Sequence, residues 1–349
     1  MNNSIVHAFV DPDVFWRPSL FSPNKTTITI PQGIRVVIDG RLHTTEQDVI
    51  LKLSDLGAST TYAGKDVYIY ACKPEVGSIL IPVLSLNSTV PTGYTEENSR
   101  KIAGFHCLCK NSGDIDGHTL TEYKAGEILP LSVWDLKHRP VSEPEGMVWV
   151  EGINRWVDIY FPSWNGSKMV SSYAGTILDG TSDPSFNGEK FSEYAPLSKK
   201  SLCSREEFLY FSKGSNELTN IAGSADPTTT GGHVDTSGRR MISNYGIEDC
   251  CGALWQWTRD TYEDYPNSKW NATYFYLDDY SWQEKSIYNP KYDLQKMGEC
   301  AGLLRRARVG GYWGDGIKAG TRATACSYFS AHGYGTITTR LVSEPKVQV

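Results

Sequence analysis

The chain has 349 residues, 40% hydrophobic and 21% charged, which is enough for two domains of ordinary size, each with its own core. Its net charge of −6 and pI near 5.7 exclude the basic face that a nucleic-acid binder needs. No apolar run has the length to cross a bilayer, and MNNSIVHAFVDPD lacks the basic start and apolar core of a signal peptide, so neither membrane insertion nor export by that route is expected.

The first third reads as β. In TTITIPQGIRVVIDGRL, Ile28 and Ile30 alternate with Thr, and Ile34, Val36 and Ile38 alternate beyond Gly33. Asp39-Gly40 tolerates positive φ and predicts a tight hairpin there. VYIYACK (67–73) and SILIPVLSL (78–86) supply further strands, the second marked as an edge by Pro82. Several short strands divided by turn signals predict an antiparallel β-sandwich.

HRPVSEPEG (138–146), with its two prolines and three charged residues, is the best boundary. It divides the chain into a sandwich domain, 1–140, and a second domain, 141–349. MVWVEGINRWVDIYFPSW predicts a buried strand pair. SREEFLYFSKG predicts a short helix whose Ser N-cap precedes Glu206 and Glu207, as in a capping box. Residues 223–238 read as a Gly/Thr/Ser-rich loop, and GALWQWTRD (252–260) restarts regular structure, with Trp255 and Trp257 filling a core at a strand's period of two. The fold class is mainly β, with an α+β C-terminal domain.

Chemistry of the catalytic kind has little to stand on. Asp278-Asp279, with Glu263 and Asp264 upstream, is a solvated acidic loop before it is a glycosidase pair or a calcium site. There is no Gly-x-Ser-x-Gly, and no motif surrounds the seven histidines. Among eight cysteines, Cys107-x-Cys109 and the adjacent Cys250-Cys251 lack zinc spacing, so reduced structural thiols are expected, with no metal and no cofactor.

The C-terminal stretch RVGGYWGDGIKAGTRATACSYFSAHGYG (308–335) is different in kind. Tyr312, Tyr328, Phe329 and Tyr334 are rigid aromatic anchors set among Ser, Thr and Gly, which is the composition of a paratope and not of an acid–base pocket.

GALWQWTRD, RVGGYW, AGTRA and the terminal TTRLV together resemble the C-type-lectin-like fold shared by formylglycine-generating enzymes and the variable proteins of diversity-generating retroelements. VPTGYTEENSRKIAGFH, VWDLKHRP and GMVWVEGINRWVDIY extend the resemblance, within that group, to the phage tropism determinants, from about Phe21 onward. The family's N-terminal β-prism is not evident, so the chain is read as starting at the sandwich. The resemblance implies a non-enzymatic receptor-binding protein at the tip of a phage tail fibre. It would be homotrimeric, attached to other tail-fibre proteins, and bind a bacterial surface receptor, protein or glycan.

Within a variable region of about 308–340, the resemblance implies a receptor-binding set of Tyr312, Gly314, Gly316, Lys318, Ala325, Ser327, Tyr328, His332, Tyr334, Thr336 and Ile337. The scaffold set is Trp255, Trp257, Gly310, Gly311, Trp313, Gly320, Arg322, Ala323 and Arg340, with Trp313 and Arg322 pointing inward. Adenine-directed mutagenesis of AAC or AAT codons cannot yield Lys, and Lys318 alone departs from that rule. The alternatives are a formylglycine-generating-type oxidase, which lacks its cysteines here because Cys326 stands alone, and a glycan-degrading tail protein resting on the acidic loop.

Overall fold

The structure is a computed structural model that describes residues 21–262, 296–300 and 305–346. In Thr27–Ile30 and Arg35–Ile38 the alternation sends Ile28, Ile30, Val36 and Ile38 into the core, all fully buried. Arg35–Ile38 pairs antiparallel with Arg41–Thr44 across Asp39 and Gly40, whose φ values of 50° and 70° are the paired positive angles of a type I′ turn. Asp66–Cys72 lies between Ile81–Ser85 and Ser99–His106 in a four-stranded antiparallel sheet completed by Trp134–Asp135. Pro82 sits in the edge strand of that sheet, where its missing N–H breaks no inner ladder. One apolar cluster, including Ile28, Val36, Val67, Ile69 and Phe105, fills the space between these strands.

The segment 138–146 is strapped at both ends. Lys346 N–H donates to the Arg139 carbonyl (2.8 Å), Val141 N–H to the Glu344 carbonyl (2.9 Å), and Gly146 N–H to the Asp66 carboxylate (3.0 Å). Beyond it, Met147–Val150 and Arg155–Asp158 form the expected strand pair, and Leu341–Ser343 and Ser201–Leu202 extend the sheet. The helix Arg205–Phe211 carries the capping box: the Ser204 hydroxyl accepts from Glu207 N–H (3.1 Å) and the Glu207 carboxylate from Ser204 N–H (2.7 Å). Phe208 and Phe211 pack with Val150, Val157 and Val309 in a second core.

Long loops between 212 and 254 are held by buried polar pairs. Arg240 meets Glu248 at 2.6 Å and His233 meets Asp249 at 2.9 Å. Backbone N–H groups of Gly231 and Gly232 donate to Asp249 (2.9 Å) and Glu248 (3.1 Å). Six described cysteines, Cys250 and Cys251 among them, are free and buried.

The sheet that carries the C-terminal stretch has Trp255–Tyr262 near its centre. Arg305–Val309 runs antiparallel on one side of it and Ile337–Thr339 parallel on the other. Ala323–Cys326 and then Lys296–Cys300 lie outside Arg305–Val309. Trp257 is fully buried and Trp255 nearly so, as their spacing predicts.

Candidate binding face

Two loops rise from this sheet. The first begins at Gly310 and Gly311, whose φ values are 91° and 82°. A Cβ at Gly310 would lie 2.5 Å from the Cys250 carbonyl oxygen, and one at Gly311 would lie 2.8 Å from Ala319 Cα, so both positions demand glycine on two counts. Tyr312 N–H then donates to Asp315 Oδ2 (2.9 Å), Asp315 N–H to the Tyr312 carbonyl (3.0 Å) and Lys318 N–H to the Asp315 carbonyl (3.0 Å). The return limb is clamped where Thr321 N–H donates to Glu217 Oε1 (3.1 Å) and Gly320 N–H to the Gly310 carbonyl (3.2 Å).

The second loop, 327–336, is pinned from outside. Asn187 Nδ2 donates to the Ala331 carbonyl (3.0 Å), Gly180 N–H to the Tyr334 carbonyl (3.1 Å) and Trp255 N–H to the Thr336 carbonyl (2.9 Å). Its rings stack on one another: Tyr328 lies 5.1 Å from Tyr334 and 5.4 Å from His332, and His332 lies 5.5 Å from Phe329.

Between the loops opens a cleft of about 350 Å³. Six of its lining residues belong to the expected receptor-binding set: Tyr312, Lys318, Ala325, Ser327, Tyr328 and Thr336. Trp255, Arg308 and Asp315 are the other described lining residues. The Arg308 guanidinium lies over the Tyr328 ring at 3.8 Å and the Trp255 ring at 5.0 Å, and donates to the Ser327 hydroxyl at 3.3 Å. Burial pushes the Asp315 carboxyl up from its ordinary pKa, against the opposing pull of Tyr312 N–H, Arg308 and Lys318.

The remaining expected contact residues divide. Gly314 and Tyr334 are exposed, and Gly316 and His332 half-buried. Ile337 is the correction: it is fully buried beside Trp257 and Leu341, because it opens a strand paired with Trp255 and turns its aliphatic side chain to the core. Ala325 also leaves the open surface, at 5% exposure, and forms the cleft floor on a strand opposite Arg308.

In the scaffold set, Gly310, Gly311, Gly320 and Ala323 are buried. Arg322 is half-buried, and so is Trp313, which is less inward than expected and leans on the cluster of Met241, Ala253 and Leu254. Arg340 is fully buried and is held by main-chain and amide oxygens: it donates to the carbonyls of Ile159 (2.8 Å), Glu248 (2.7 Å) and Asp158 (3.4 Å) and to Gln256 Oε1 (3.2 Å).

Sequence reasoning missed Arg308 and Asp315. The signal for Arg308 was present in RRARV, where Ala307 and Val309 turn inward and so place Arg308 on the loop-bearing side. Exposed Ile317 and Phe329 also flank the expected contact residues. Glu263, Asp264, Asp278 and Asp279 lie outside the described residues.

A family model described as the Mtd second domain matches residues 19–135. The tail fiber receptor-binding protein of Bordetella phage BPP-1 is 30% identical over 254 residues, an alignment that takes in 67% of this chain and 62% of that protein. The chain is similar to the phage tropism determinants over these residues. The Major Tropism Determinant U1 variant superposes with a TM-score of 0.70 at 24% identity, covering 98% of this chain and 86% of that one. The M1 variant gives 0.68 at 23% identity, covering 93% and 82%. The tropism-determinant fold, mainly β with a C-type-lectin-like C-terminal part, is therefore the fold of this chain. The curated tail-fibre relative is matched over less than two thirds of its own length.

Proposed function

We propose that this chain is a phage receptor-binding protein that grips a bacterial surface receptor with the loops 312–318 and 327–336. In this reading it is a virion component, not an enzyme, and residues up to about 140 form a sandwich that supports the lectin-like binding unit. The observation that carries the reading is the cleft itself, where six residues of the expected contact set meet around one concavity with clustered aromatic rings beside it. Rigid rings among small polar residues concentrate binding energy at low entropic cost. The two loops are anchored by backbone hydrogen bonds at Gly310, Gly320, Tyr334 and Thr336, so side chains on them can change without moving the frame.

Homotrimeric display, with attachment to other tail-fibre proteins, belongs to the same proposal. The test is competition. Purified protein is expected to block adsorption of particles carrying this chain to a sensitive host in a saturable manner. Adsorption unaffected by a large excess of folded protein contradicts the reading.

A further inference from the structure

The cleft is chemically lopsided. Every described lining side chain but Ala325 carries a hydrogen-bonding group, and the volume of about 350 Å³ matches a small-molecule site better than a flat protein contact. Among the described residues, two cations, Arg308 and Lys318, line it with one carboxylate, Asp315. That carboxylate is already engaged, because its Oδ2 accepts the Tyr312 N–H at 2.9 Å.

Arg308 is also held in place. Its guanidinium sits over two rings, and its strand neighbours Ala307 and Val309 are buried. A cation whose rotamer is fixed before binding loses little freedom when it engages an oxyanion. Beside it lie the Ser327 hydroxyl and the rings of Tyr328 and Trp255, and Tyr312 and Thr336 line the same cleft. Aromatic faces beside convergent hydroxyls suit a polyhydroxylated ring, and the cations suit a carboxylate attached to it.

We propose that the cleft takes a carboxylate-bearing sugar of the host envelope, with Arg308 and Lys318 holding the carboxylate and the tyrosines flanking the sugar ring. This rests on the receptor-binding reading and gives it a ligand class. An acidic side chain of a protein receptor would satisfy the cations but would leave the aromatic and hydroxyl-bearing residues of the lining with little to bind.

The test titrates the full chain with galacturonate, galactose and a short poly-glutamate peptide, followed by calorimetry or ligand-observed NMR. Galacturonate is expected to bind at least about tenfold more tightly than galactose, the scale of one charge-assisted hydrogen bond. Arg308→Ala is expected to abolish that preference, and exposed Lys318→Ala, which leaves the fold intact, to weaken galacturonate by about threefold or more. Equal binding of both sugars, no binding of galacturonate at about 10 mM, or full affinity in Lys318→Ala and a folded Arg308→Ala overturns the proposal. Binding of the peptide in place of the sugar also overturns it.

Competition for host adsorption separates this proposal from the one beneath it. Competition without sugar binding removes the acidic sugar and leaves the receptor reading. Sugar binding without competition removes the receptor reading and leaves a sugar site.

Discussion

At the scale of single residues, the face rests on a contrast between frame and display. Arg340 is a buried cation satisfied by carbonyl oxygens of Ile159 and Glu248 and by Gln256, so it ties three segments together. Arg340→Ala strands those acceptors and opens a cavity, and is expected to cost about 4 kcal/mol or more. Trp257→Ala is expected to cost about 3–5 kcal/mol as a fully buried aromatic. Tyr334→Ala, at 45% exposure, is expected to stay within about 0.5 kcal/mol of the parent. Denaturant melts check all three, and a Tyr334 loss equal to that at Trp257 contradicts the division. Trp313 falls between the two classes, because it is only half-buried.

At the scale of elements, the long loops depend on ionised pairs. Asp249 raises the pKa of His233 above its ordinary value, outweighing the desolvation that lowers it. Burial pushes Asp249 up, but His233, Arg240 and the Gly231 N–H together bring it below its ordinary value. A raised histidine stabilises fully below its unfolded pKa of about 6.5, and that contribution is lost as pH rises through the folded value. A lowered aspartate stabilises above its unfolded value of about 3.9, and that contribution is lost as pH falls through the folded one. The pair therefore contributes most between about pH 4 and 6.5. Melting temperature followed from pH 5 to 9 is expected to fall less steeply in His233→Gln than in the parent, and parallel slopes contradict this. The capping box gives a simpler case: Ser204→Ala is expected to cost about 1 kcal/mol in the same melts.

Elements were legible where a local rule decided them. Asp39-Gly40, the alternation around Ile28 and Val36, and Ser204 with Glu207 each act within a few residues, and each appears as read. The site was legible in part. Tyr312, Ser327 and Tyr328 line the cleft, as a paratope composition implies. Ile337 was misplaced, and Ala325 lies on the cleft floor and not on the open surface, because strand pairing decides which way they face, and that pairing joins segments distant in sequence. Arg308 and Asp315 entered the site through the same long-range pairing and through a turn whose hydrogen bonds no composition reveals.

At the scale of the whole molecule, the central claim is that the loops 312–318 and 327–336 hold the host receptor. Trimeric display would magnify each single-site loss through avidity, by roughly a hundredfold. Light scattering of the purified chain is expected to give three times the monomer mass of 38.9 kDa, and a clean monomer at micromolar concentration contradicts the assembly. The most direct measurement is adsorption to a sensitive host of particles carrying Tyr312→Ala, Tyr328→Ala and Tyr334→Ala together, with the fold of the variant verified by its melt. Each change is expected to cost about 2 kcal/mol of binding, so adsorption should be abolished. Unchanged adsorption by the folded variant would mean that the receptor is gripped elsewhere.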